Sequence, residues 1–516
     1  MVWLAKSKFL SQSHQSQRKK SKHTGYCFLI IFFLLSIGLV PVVFAISWVR
    51  PQASPDVGLD GAASMHGDIT SSDSTPLPGP GIQDVDVVTQ NFLSACPTIL
   101  IRSDGKPFAL CTSFQNRKPI VRLLRQKNGK EIANLELEAG SLLGGVYAYI
   151  DNQDRLVMVD GNQQLIRIKA EKINFLWFSW WVLSLDESIS LTEKIEEYCG
   201  RNCSDAVVSI SAGIHGMVWF VTQESRVGIY NPEAPTEDEA ITIIKLADHE
   251  RVDNSFSTTM DGFAAIVTNE ALYLLNQNDD NQPQILWRHE YDAGAARKPG
   301  QLSHGSGATP TFFGPDTGTE FVMITDNADF EISLIIRDTQ DGHLVCKQAI
   351  FTDLENSGSE NSAIGIGNTA IVASTYGYPY PVLPEGAGPS NPERADFVGG
   401  MVRVDINECR DDETACSPCN IVWENYVRSS AVPKISIADE LIYTIERISP
   451  SGGNKTTIFD TYHFTVIDPE TGDVLKQNQI GSGLFADTLQ MAGNVGKKGV
   501  FWQGTLGGIV RIAPKN

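Results

Sequence analysis

The short motifs that mark many enzymes are missing from this chain. No G-x-S-x-G, H-E-x-x-H or P-loop occurs in its 516 residues, so these three kinds of active site have no local signature here. Cationic side chains are also scarce. Seven of the 41 Lys and Arg lie in the first fifty residues, where there is no acid, which leaves residues 51–516 with 34 basic against 61 acidic side chains. Such a body argues against nucleic acid as a partner, because that affinity comes from cations that displace counterions from phosphates. The acidity itself reads as a source of solubility. Charge of either sign is absent from Tyr26 to Val49, an apolar run of 24 residues.

That run is long enough to cross a hydrocarbon core of ~30 Å as a helix. The tail before it carries Lys6, Lys8, Arg18, Lys19, Lys20 and Lys22, and positive charge keeps its own side cytoplasmic while the remainder is exported. Length and tail together favour a transmembrane signal-anchor at 26–49 behind a basic cytoplasmic tail at 1–25. Pro41 and Val43-Phe44-Ala45 offer the alternative of a signal peptide cleaved near Ala45 and a secreted protein. Both readings put the body on the extracytoplasmic side, in a periplasm, a lumen or outside the cell. Residues 50–83 are rich in Pro, Ser, Gly and Asp without hydrophobic periodicity, and read as a flexible linker.

Strands dominate from Asp84 onward. A short apolar run closed by a small polar stop recurs at Phe108–Thr112, Leu156–Asp160, Val218–Thr222, Ala265–Thr268, Phe321–Thr325, Ile371–Ser374, Leu441–Thr444 and Val500–Gly504. The spacing of roughly 45–70 residues is at and above that of propeller blades. Second and third runs follow, often around a tight-turn signal such as Asn128-Gly129 or Asp341-Gly342. The pattern predicts an all-β fold, a β-propeller of eight four-stranded blades over 84–516, with seven as the alternative. The C-terminus supplies only three strands for the last blade. Asp84–Phe92 is the expected fourth, closing the ring without an exposed edge.

Two stretches depart from the pattern. Ser188–Tyr198 reads as a short amphipathic helix inserted between blades. Phe175–Trp181 is an unusually aromatic strand, whose rings either fill space between blades or form a surface patch for a partner or a membrane interface. Eight cysteines lie beyond the apolar run: Cys96, Cys111, Cys199, Cys203, Cys346, Cys409, Cys416 and Cys419. An even number behind an export signal suggests disulfides. Local pairing is plausible for Cys199 with Cys203 and within the 409–419 cluster, where zinc is the alternative for Cys416 and Cys419. Asn202 and Asn454 head glycosylation acceptor triplets that matter only if the source glycosylates its exports.

The hairpins at His463–Gln479 (HFTVIDPETGDVLKQNQ) and Ser333–Gln348 (SLIIRDTQDGHLVCKQ) resemble the repeat of quinoprotein-type propellers. In that repeat a strand ends in Asp, a Thr-Gly turn follows, and the next strand often ends in Trp. Trp287 and Trp423 stand in the corresponding outer-strand position. The likeness covers most of 97–515 loosely and concerns the repeat alone, so it implies a fold and little chemistry. Catalytic members carry two adjacent cysteines over the quinone, and no Cys-Cys pair exists here. Non-catalytic relatives, such as the propeller lipoprotein of outer-membrane assembly, use the repeat as a scaffold.

In a propeller the residues leading into each innermost strand surround the channel mouth. Asp253-Asn254-Ser255 and Glu360-Asn361-Ser362 match one another there, and Ser306 falls in the same place in another repeat. Asp253, Asn254, Glu360 and Asn361 are thus candidate oxygen ligands for a hard cation such as Ca²⁺. By residue type and position alone they are similar to the metal site of calcium-dependent lactonase and arylesterase propellers, which would make His304 and His215 candidate bases. The competing reading is that such residues satisfy backbone groups in turns. The expected function is a membrane-tethered exported propeller that binds or scaffolds a protein or small molecule at the channel mouth. A calcium-dependent hydrolase of lactones or esters is the alternative, and a quinone-dependent dehydrogenase a weaker one.

Overall fold

A computed structural model of the protein describes residues 46–515, apart from 139–145, 201–202, 237, 355, 385 and 408–417. Tyr26–Ala45, Asn202, Cys409 and Cys416 lie outside the described residues. Among the described residues no helix is long and apolar enough to cross a membrane. Ile46–Val49, the end of the expected anchor, belongs to the propeller: Ile46 is buried against Ile364, Ile366 and Ile435, and its N–H donates to Glu470 Oε1 at 3.1 Å.

Eight antiparallel sheets follow in chain order. Blade 1 is Ser94–Ile101, Pro107–Ser113, Pro119–Leu124 and Glu131–Glu136; blade 2 is Tyr149–Ile150, Leu156–Val159, Gln164–Phe175 and Phe178–Ser190. Blade 3 is Val207–Ala212, Val218–Thr222, Arg226–Tyr230 and Ile241–Lys245; blade 4 is Ser257–Thr258, Phe263–Val267, Ala271–Gln277 and Pro283–Glu290. Blade 5 is Thr311–Phe313, Phe321–Thr325, Ser333–Asp338 and Leu344–Ala349; blade 6 is Ile364–Ile366, Thr369–Ala373, Met401–Ile406 and Cys419–Asn425. Blade 7 is Lys434–Ser436, Leu441–Ile448, Thr461–Ile467 and Val474–Ser482. Blade 8 joins Asn494–Gly496, Val500–Thr505 and Gly508–Pro514 to Val85–Asn91, which pairs antiparallel with Gly508–Pro514 as its outer strand.

All the recurring apolar runs turn out to be second strands, buried on both sides. That explains why they read as continuous rather than alternating hydrophobic segments. Hydrophobic clusters join each blade to the next, and one of them packs Ile99, Ile101 and Ala109 of blade 1 against Trp502, Ile509 and Ala513 of blade 8. The ring is therefore closed by packing as well as by the swapped strand. Trp423, in an outer strand as expected, shows how neighbouring blades lock. It donates from Nε1 to Pro469 O at 2.9 Å and covers Gly472 in the next blade's turn, where φ is +75° and a Cβ would lie 2.6 Å from the indole. Trp287 covers Gly342 in the same way. Glycine serves twice there, for the positive φ and for the close approach.

Residues 50–83 are not a flexible linker. They thread the propeller axis, and residues 66–75 are buried. The first strand of each blade would otherwise present unpaired N–H groups to the channel. Plug carbonyls accept from Ile101, Ile150, Thr258, Phe312, Gly365 and Ile435, at 2.8–3.0 Å, in six different blades. Ser74–Thr75 also pairs in parallel with Lys434–Ser436. The segment has too few apolar side chains to fold alone, as its composition says. It folds because Ser, Thr and Asp suit a polar channel. Asp68 accepts from the Thr70 and Ser72 amides, both at 3.1 Å, and from Arg50 Nη2 at 3.3 Å.

Three smaller expectations need correction. The helix begins at Thr192 and ends at Cys199, because Ser188–Ser190 still pairs with Gln164–Ile166. Phe175–Trp181 is not one strand but the end of a long hairpin turning at Leu176-Trp177. Cys419 bonds to Cys346 across blades 5 and 6 rather than to a cysteine of its own cluster, while Cys199–Cys203 is local and Cys96–Cys111 links two strands of blade 1. Cys419 is thereby removed from any zinc site.

Candidate functional site

Chain direction gives the propeller two faces. The upper face carries the residues leading into each first strand and the connections between second and third strands. The lower face carries the turns between first and second and between third and fourth strands. Asp253-Asn254-Ser255 leads into blade 4, Ser306 into blade 5 and Glu360-Asn361-Ser362 into blade 6, so all of these converge on the upper face. His215 does not. It is exposed in the turn between the first two strands of blade 3, on the lower face, and cannot serve as a base for the others. His304 is at the mouth, with Nε2 3.1 Å from Gly294 O.

Both asparagines among the four expected cation ligands are hydrogen-bonded within the protein. Asn254 Oδ1 accepts from Tyr147 Oη and the Ser255 amide, and its Nδ2 donates to Gly307 O. Asn361 Nδ2 donates to Gln490 Oε1 at 3.0 Å. Both asparagines thus act as turn and mouth ties. Glu360 differs. It is 8% exposed, and neither carboxylate oxygen makes a well-formed hydrogen bond. Gly307, at φ +67°, leaves room for that carboxylate, which a side chain there would strike. Burial pushes the Glu360 carboxyl well above the usual range; the Asp253 charge adds to the rise, while the Leu302 amide and Arg297 partly oppose it. Asp253 is also raised, chiefly by burial, against the nearby Arg251 guanidinium. It stands near the rim, with its side chain 24% exposed.

Deeper on the axis, Ser362, His66 and Asp73 meet. Ser362 Oγ and Asp73 Oδ1 both approach His66 Nδ1, at 3.0 and 3.1 Å. A nucleophile relay needs the hydroxyl on one ring nitrogen and the acid on the other. This group is instead a buried tie between plug and blade 6, with Lys434 Nζ 3.9 Å from Asp73.

Sequence reasoning missed the connection Ser374–Gly400 and the tyrosines of the mouth. From blade 6 this connection reaches blades 5, 7 and 8: Gly377 N–H donates to Pro299 O, Arg428 Nε donates to Phe397 O, and Tyr378 Oη donates to Asp487. Beyond it opens a cleft of about 610 Å³ lined by Pro97, Leu110, Ile120, Tyr380, Val382 and Met491, among others. Leu302 and Tyr380 line this cleft and also adjoin Glu360. The run Tyr376-Gly-Tyr-Pro-Tyr-Pro381, too aromatic and proline-rich for an ordinary turn, was the available signal.

Fold and mouth together define an eight-bladed β-propeller with a self-filled axis. No family model matches the chain. It is similar to an uncharacterized protein of Archaeoglobus fulgidus, 35% identical over 129 residues, which is 24% of this chain and 24% of that protein. The match thus spans about a quarter of the relative's length. Among solved structures it is similar to quinohemoprotein alcohol dehydrogenase from Comamonas testosteroni, with 10% identity, a TM-score of 0.52, and coverage of 89% of this chain and 81% of that one. The corresponding figures for quinohemoprotein alcohol dehydrogenase ADHIIG from Pseudomonas putida HK5 are 10%, 0.48, 88% and 77%. At such identity the first likeness shows the fold alone.

Proposed function

We propose that the protein is a membrane-tethered, extracytoplasmic binding module whose recognition site is the apolar cleft of the upper face. The carrying observation is that cleft itself. At about 610 Å³ it has the size of a small-molecule site, and its lining is largely apolar and includes Tyr380. The axis, the other ligand position of a propeller, is taken by Asp68–Thr75. The ligand class is a small, mainly apolar molecule. The test uses 1-anilinonaphthalene-8-sulfonate as probe with the full chain. Ile120→Trp, which fills the cleft, should remove a saturable one-to-one component of binding with melting unchanged. Probe binding indifferent to that substitution would overturn the cleft as the site.

A second reading, the calcium-dependent hydrolase, is favoured by one observation: Glu360 with unpaired oxygens in the neighbourhood of Asp253. Two carboxylates are far short of the six to eight oxygens that Ca²⁺ takes, and the Asn254 amide oxygen already accepts from Tyr147 and the Ser255 amide. The quinone reading is weaker still, since the plug fills the axis and adjacent cysteines are absent.

A further inference from the structure

The third and fourth strands of blade 2 run on past their neighbours as a two-stranded ribbon, Gln164–Phe175 with Phe178–Ser190, turning at Leu176-Trp177. Cross-strand pairing puts Phe175 opposite Phe178, Ile173 opposite Trp180 and Glu171 opposite Val182. Because side chains alternate along a strand, Ile173, Phe175, Phe178, Trp180 and Val182 share one face of the ribbon, with Glu171 at its base. All five are exposed, and with Leu176 and Trp177 at the tip, 74% and 82% exposed, they form a continuous apolar patch. The opposite face of the ribbon is anchored: Trp181 lies under Arg102 and Lys106 of blade 1, and Leu183 is buried. The patch therefore faces outward rather than folding onto the propeller.

We propose that this ribbon is a membrane-docking element, seated in the interfacial layer of a lipid bilayer. Three observations select that occupant. The indoles of Trp177 and Trp180 suit the bilayer interface, where an apolar ring with a polar N–H sits at headgroup level, and Phe175, Leu176 and Phe178 supply the apolar side chains that enter the acyl boundary. No charge of either sign lies between Lys172 and Asp186, in a body that otherwise carries 61 acids against 34 bases, and Glu171, at the base of the same face, is paired with Lys169 at 3.5 Å, so the tip of the ribbon is the part of this acidic protein that meets a bilayer with the least charge to desolvate. The chain outside the described residues ends in the right place. Ile46 meets Glu470, in the turn between the third and fourth strands of blade 7, and Val49 O accepts from Gly367 N–H in a lower-face turn of blade 6. The ribbon tip is itself a turn between third and fourth strands. The described chain thus begins, at Ile46, on the same face from which Trp177 projects, and the cleft of the upper face points away.

The inference rests on the tethering reading for its orientation, and the experiment separates the two. Full-length protein carrying Trp177→benzoylphenylalanine is reconstituted with vesicles of phosphatidylcholine and phosphatidylglycerol and irradiated. Tyr426, 72% exposed at the upper end of an outer strand, receives the same photoreactive residue as the control position. Flotation of the protein with the vesicles reports attachment as such, so that protein which floats without an adduct at 177 keeps the tether and loses the docking. Lipid adducts at least tenfold more abundant at position 177 than at 426 support docking. Equal yields, no adduct at either position, or adducts to a second copy of the chain overturn it, the last in favour of self-association.

Discussion

Replacing Glu360 by glutamine tests the electrostatics of the mouth with almost no change in shape. The carboxyl is 8% exposed and lacks a well-formed hydrogen bond, so its charged form is disfavoured in the folded state. Its folded pKa is raised above the unfolded one, and the protonated acid therefore contributes stability that is fully present below the ordinary glutamate range. That contribution is lost as pH rises from there through the folded value. Each pH unit inside the window costs about 1.4 kcal/mol for the one proton involved. Glu360→Gln has no such proton to lose. The two proteins should melt alike near pH 4.5, and the variant should gain on the parent at every step above it, by at least about 1.4 kcal/mol once the window has been crossed by one unit. Urea or thermal midpoints of both proteins at pH 4.5–8.5 read the difference directly. Parallel curves would refute the reasoning. Millimolar Ca²⁺ separates the two functional readings in the same assay: a parent that is stabilised and loses its pH slope favours a cation between Glu360 and Asp253, and an unaffected parent removes the hydrolase.

Deleting Val85–Asn91 should leave Gly508–Pro514 as an open edge, seen as aggregation or loss of cooperative unfolding; unchanged melting would contradict the swapped strand. Gly472→Ala and Gly452→Ala have nearly equal backbone strain, at φ +75° and +74°, but only Gly472 faces an indole. Both should cost about 1 kcal/mol from backbone conformation, and the excess at Gly472, of the order of a further 1–2 kcal/mol from overpacking, measures the blade-to-blade lock by denaturant titration. Asp73→Ala takes the carboxylate away from buried Lys434, whose pKa is already lowered by burial, and from His66 and Ser362; the expected loss is about 3–5 kcal/mol, with Lys434→Met in the same chain restoring the part due to the stranded charge and not the lost hydrogen bonds, and a plug that is merely draped in the channel would show neither effect.

What the chain determined by itself was everything that repeats or is local. Each second strand is buried on both sides and ends where a small polar residue meets the upper face, so the runs from Phe108 to Gly504 recur because the same environment recurs. Counting strands was enough to require a partner for Gly508–Pro514, and Val85–Asn91 was the unpaired candidate. The positions of Asp253 and Glu360 at the mouth followed from that register. Their chemistry did not, since whether Asn254 and Asn361 are free depends on Gly307, Tyr147 and Gln490, which no local pattern brings near. The plug was decided by tertiary structure alone: the partners of Ser74 and Ser72 lie near residues 435 and 365, so a polar segment that looks unfoldable in isolation finds its hydrogen bonds only once the ring exists. The aromatic stretch of blade 2 was equally undecided. Phe175 and Trp177 are surface because blade 2's last hairpin outruns the blades beside it.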